Sequence, residues 1–152
     1  MGQEQLRVFI DSIMAYFNKL TGVSLEVGVP FLKDDDQNIL MQYTGAIGIS
    51  GKMKGAVYIT AEEKFLSGLI SHIMPGMVIQ EKRLESMVGE LTNTIAGNAQ
   101  RIFGKDFMIS IPLILTSPDS PNSSKLDLKV PTFVIPLRWK DSKAFLVVGL
   151  EI

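Results

Sequence analysis

The chain contains no cysteine, one histidine and one tryptophan. Without thiols it has no disulfide, no thiol nucleophile and no cysteine metal site. With His72 as the lone imidazole, a histidine-based triad or a zinc centre has little to build on. Charge is sparse too. Only 20% of residues are charged and the net charge is -1, with the signs interspersed, so no basic face is set out for nucleic acid or anionic lipid. No apolar run approaches the ~18 residues of a membrane span. The opening "MGQEQLRVFIDSIMAYF" has acids inside it and no unbroken apolar core, so no signal peptide is expected. Leu6 stands where a myristoylation motif needs Ser or Thr. These absences lead us to expect a soluble, cytosolic protein, in which the sequon at Asn122 has no role.

What is present is apolar and periodic. With 46% hydrophobic residues over 152 positions, the chain is expected to form one domain, residues 1–152, burying roughly 68–70% of its unfolded surface. Leu6, Phe9, Ile10, Ile13, Phe17 and Leu20 recur at spacings of three and four, predicting an amphipathic helix that ends near Thr21-Gly22. The period then shortens. "VSLEVGVPFL", "NILMQYTGAIGIS" and "GKMKGAVYIT" read as three strands, with the acidic turn "KDDDQN" after the first. A short helix at about residues 61–73 and a long one over residues 80–103 follow, Gly104 marking the stop. "FMISIPLILT", a polar loop "SPDSPNSS", and the strands "KVPTFVIPLRW" and "KAFLVVGLEI" complete the chain. The predicted fold class is α+β: a largely antiparallel sheet with one face covered by two long helices and a short one, in the order helix, three strands, two helices, three strands. The β-rich runs "TFVIPL" and "AFLVVGLEI", in a chain too small to cover every edge, predict a homodimer through a sheet edge.

Familiar motifs fail on their details. "GAIGISGKM" puts Ala46 where a phosphate-binding loop needs its first glycine, and Met53 where it needs a hydroxyl for magnesium. "DDDQN" has neither the central glycine nor the closing glutamate of a calcium loop and reads as a solvated turn. His72 reads as a helix-end residue and Trp139 as packing.

The stretch "GELTNTIAGNAQ", residues 89–100, is the anomaly. It lies within the long helix, yet Thr92, Asn93, Thr94, Gly97 and Asn98 are poor helix formers, Gly97 alone costing about 1 kcal/mol relative to Ala. On a helical wheel Leu84, Val88, Leu91, Ile95, Ala99 and Ile102 form an apolar stripe, and Glu90 and Asn93 stand opposite it as i and i+3 neighbours. Ser86, Thr94 and Gly97, each one turn from a member of the pair, are small. They would leave the carboxylate and the carboxamide standing out from a shallow surface that another protein can approach. Two readings are open on the residues alone. One is a solvated polar face. The other is a partial site that a partner completes, the amide orienting a water and the carboxylate pairing with a cation.

The pattern Glu90-x-x-Asn93 followed by Ile95, Gly97 and Asn98 resembles the signature of the CheX phosphatases within the CheC/CheX/FliY group. The likeness extends to the opening helix "FIDSIMAYFNKLTG", the glycine-bearing strand pair "GAIGISGKMKGAVYIT", and the placing of the motif on a long helix after a short one. The resemblance implies hydrolysis of the aspartyl phosphate of a CheY-like receiver, with Glu90 as the acid that pairs with the receiver's lysine and Asn93 as the water-orienting amide. It implies no cofactor on this chain, the magnesium belonging to the receiver. Relatives of the CheC type carry the motif twice. Here "EKRL" and "ESMV" lack the asparagine, which favours CheX and, with it, a strand-paired homodimer. A non-catalytic adaptor, docking on a receiver or a flagellar switch component through the same helix, is the alternative.

Overall fold

The computed structural model describes residues 1–152. Helix α1, Gln3–Thr21, leads into two short strands, β1 (Glu26–Val27) and β2 (Phe31–Leu32), and then into β3 (Tyr43–Gly51) and β4 (Lys54–Ala61). Helices α2 (Glu63–Ile73) and α3 (Glu81–Phe103) follow, then β5 (Phe107–Ile109), β6 (Leu113–Leu115), a 3-10 turn at Pro121–Leu126, β7 (Thr132–Trp139) and β8 (Ser142–Glu151). Every strand pairing is antiparallel, in the order β1-β7-β8-β4-β3-β5, with β2 also on β7 and β6 also on β3. The α+β class is as expected.

Two of the expected strands are each broken in two, and both breaks contain a proline. Between β1 and β2, Pro30 has no N–H to give to β7, and pairing resumes only at Phe31. Between β5 and β6, Pro112 does the same against β3, and Ser110 bridges the gap: its N–H donates to the Gly48 carbonyl and its Oγ accepts from the Gly48 N–H at 2.9 Å. "NILMQ" is not strand either, because the Thr60 hydroxyl takes the Met41 N–H at 2.7 Å before β3 begins. The polar loop contains the unforeseen 3-10 turn, capped by Ser120 and started by Pro121.

The strands alternate strictly. Val57, Ile59, Ala61, Ile135, Leu137, Trp139, Leu146, Val148 and Leu150 face the helices, with Phe9, Ile13 and Phe17 of α1 and Leu66, Leu69, Leu91 and Ile95 of α2 and α3. Their neighbours Ala46, Tyr58, Val134 and Val147 face the other way, where Ile39 and Leu126 of the connecting loops close a smaller core. The second face is therefore also buried at its centre.

The sheet order corrects the reason given for a dimer. β7 and β8 are interior: β8 lies between β7 and β4, and β7 carries β1 and β2 on its outer side. The long C-terminal hairpin is the middle of the sheet because both sides of a strand that long and apolar find partners. The exposed edges are the short pairs β1/β2 and β5/β6.

Candidate functional site on helix α3

Helix α3 is seated on the sheet by two of its poor helix formers, Thr92 and Gly89. Thr92 is fully buried, with Oγ1 2.9 Å from the carbonyl oxygens of both Gly45 and Val88. Gly45 makes this approach available, since a Cβ there would lie 2.7 Å from the Val88 carbonyl oxygen and 2.9 Å from Thr92 Oγ1. Gly89 and Ala96 are buried alongside. Thr92 thus belongs to packing and not to an exposed site. It fixes the helix, and so the direction of its outer face, against β3.

Leu84, Val88, Leu91, Ile95 and Ala99 are buried as the wheel predicts. Ile102 is not: it is 63% exposed. The antiparallel α1 crosses the last turn of α3, and there Phe103 takes the inward position, 6.2 Å from the Phe9 ring centroid and 5.2 Å from that of Phe107.

On the opposite face Ser86, Glu90 and Asn93 are exposed, and Thr94 and Gly97 are half-buried. Glu90 and Asn93, at i and i+3, place their Cβ atoms about 5–6 Å apart. A Cβ at Gly97 would meet nothing within 4 Å, so the surface beyond Asn93 is open. Asn98, the next residue of the motif, turns aside and accepts a hydrogen bond from Arg101 Nη2.

One residue of this surface was missed. Tyr16 of α1 donates its hydroxyl to Glu90 Oε1 at 3.2 Å. Its phenol pKa is pushed up to about 12, first by burial and then by the charge of Glu90 and the hydrogen bond to it; Thr94 acts in the opposite direction. The pair is therefore not free of bulky neighbours, because an aromatic side chain borders it on the α1 side. At a sequence separation of 74, no local spacing signals this contact.

The two solitary aromatics behave as read. Trp139 is buried against Phe17, at 6.1 Å between ring centroids. His72 ends α2 with Nε2 2.9 Å from the Thr21 carbonyl, which can only accept, so that nitrogen carries the proton. The acids of "DDDQN" are exposed in a turn closed by Gln37 N–H to the Asp34 carbonyl.

The family model described as "Chemotaxis phosphatase CheX" matches residues 43–138, more than half of the chain and the whole of α3. The chain belongs to the CheX family. None of the curated proteins matches it by sequence. Solved structures share its fold over almost the full length. A CheC-like superfamily protein from Shewanella sp. PV-4 superposes with a TM-score of 0.82 at 23% identity, covering 100% of both chains. Chemotaxis protein CheX from Vibrio vulnificus gives 0.78 at 22%, covering 97% of this chain and 99% of that one. A chain of the CheX-CheY-BeF3-Mg complex from Borrelia burgdorferi gives 0.75 at 18%, covering 97% of this chain and 98% of that one. For this CheX-family chain, no helix is long and apolar enough to cross a membrane.

Proposed function

We propose that this chain hydrolyses the aspartyl phosphate of a CheY-like receiver, Asn93 orienting the attacking water and Glu90 pairing with the receiver's lysine. The observation that carries the reading is the exposed Glu90–Asn93 pair on a helix locked to the sheet, with open space beyond it at Gly97. Membership of a phosphatase family and a fold relative solved with CheY support a receiver as the partner. A carboxylate and a carboxamide supply no nucleophile and no oxyanion hole. Phosphoryl transfer asks chiefly for positioning and charge stabilisation, and the receiver would bring the phosphorylated aspartate, the lysine and the magnesium. Water then attacks phosphorus in line with the departing aspartate oxygen. Inorganic phosphate leaves and the aspartate carboxylate is regenerated.

Purified protein at a catalytic ratio should shorten the lifetime of its phosphorylated receiver. One-to-one binding without turnover would instead make it the adaptor. Ser86, Thr94 and Gly97 border the docking surface in this reading. Gly97→Leu should melt at or above the parent temperature, since helix propensity rises and the new Cβ meets nothing. Its branched side chain, one turn from Asn93, should weaken receiver dephosphorylation roughly 10-fold or more, in line with the cost of displacing a docked geometry by about 1 Å. Unchanged activity would move the docking surface elsewhere.

The homodimer belongs to the same proposal, now through the short edge pairs β1/β2 or β5/β6, where Leu32, Met108 and Ile111 are exposed. A monomer mass by light scattering at micromolar concentration would remove it.

A further inference from the structure

Tyr16 has an apolar ring packed against the main core and a hydroxyl at the surface, where it reaches the Glu90 carboxylate. The core holds the ring, and helices α1 and α3 are both fixed on the same sheet face, so the hydroxyl stands at a set point. Glu90 Oε1 faces it, whereas Glu90 Oε2 has no side-chain partner within the chain. An unrestrained glutamate on an exposed helix face samples several rotamers and gives up that freedom when it docks.

We infer that Tyr16 is a positioning residue for Glu90: its hydroxyl holds Oε1 and so presents Oε2 to the cation of the docking receiver. The identity of that cation rests on the proposed function; the restraint on Glu90 does not. At 3.2 Å the contact is longer than the usual ~2.5–2.7 Å of a hydroxyl donating to a carboxylate. Hydrogen bonds at unliganded sites are often long and tighten when the partner arrives. The donor's proton is favoured further, because burial and the neighbouring carboxylate both disfavour the phenolate. A hydroxyl given to a carboxylate is charge-assisted, so it restrains the acid without neutralising it.

The test has two arms. In the free protein, NMR couplings should show one dominant Glu90 rotamer in the parent and averaging among rotamers in Tyr16→Phe, with thermal melts unchanged. In receiver dephosphorylation, Tyr16→Phe should raise KM roughly 3- to 10-fold, the worth of one net hydrogen bond, with kcat within about twofold of the parent. Combined with Glu90→Ala, Tyr16→Phe should have no further effect, because there is no carboxylate left to place. A fixed Glu90 rotamer in Tyr16→Phe, or the same rise in KM on the Glu90→Ala background, would overturn the assignment. If the parent protein turned over no receiver, the proposed function would fall, and the rotamer arm would still decide the role of Tyr16.

Discussion

Asn93→Ala should dock on its receiver nearly as well as the parent and hydrolyse the phosphate about 10²–10³-fold more slowly, a loss of ~2.7–4 kcal/mol of transition-state stabilisation. The two effects separate because the amide acts on water and the carboxylate on the partner's charge. A carboxamide both donates and accepts, so it can fix a water in one orientation, and alanine can do neither. Glu90 and its Tyr16 contact lie one turn away on the same rigid helix and are untouched by the change. Stability should not fall, since Asn93 is exposed and makes no side-chain hydrogen bond within the chain, and Ala is the better helix former. Single-turnover dephosphorylation and receiver binding, measured on the same preparation, check the split. Full turnover by Asn93→Ala would show that another group positions the water.

Much of this site could be read in the residues, because an exposed pair on an amphipathic helix is a local pattern. Helices α1, α2 and α3 end within two residues of their expected limits, since each buries an apolar stripe in the main core. What escaped was non-local. The place of β7 and β8 in the middle of the sheet depends on which strands pair across the whole chain, and alternation does not encode partner identity. Tyr16 lies in a separate helix from Glu90, and the crossing of α1 over α3 both brings it there and turns Ile102 outward. Two misses were legible after all: Pro30 and Pro112 sit inside the runs taken as single strands, and each removes a ladder donor. The anomaly in "GELTNTIAGNAQ" likewise has two causes where one was sought. Thr92 is spent on packing against Gly45, while Asn93 and Gly97 remain on the open face.

Glu90→Ala should act mainly on association. The receiver's lysine loses its counter-charge as the site closes, a cost on the order of 2 kcal/mol or about 30-fold in affinity. Parent affinity should fall as salt rises and the variant's should fall less, because the screened charge pair is gone. The variant leaves a second mark in the free protein. Glu90 is one of the causes that hold the Tyr16 phenol at about 12 against its ordinary 10.0, so its removal should lower that value, with burial, the larger cause, still keeping it above the ordinary range. The favoured protonated phenol contributes fully below pH 10, and that contribution is lost as the pH rises toward 12. Parent and Glu90→Ala should melt nearly alike at neutral pH and diverge in strong alkali, where the parent has to place a phenolate beside the Glu90 carboxylate and the variant does not. Tyr16 ring-carbon shifts followed by NMR through that range read the change directly. A variant that bound the receiver with parental affinity and parental salt dependence would remove Glu90 from the docking contact. An unmoved Tyr16 titration would remove it from Tyr16 as well.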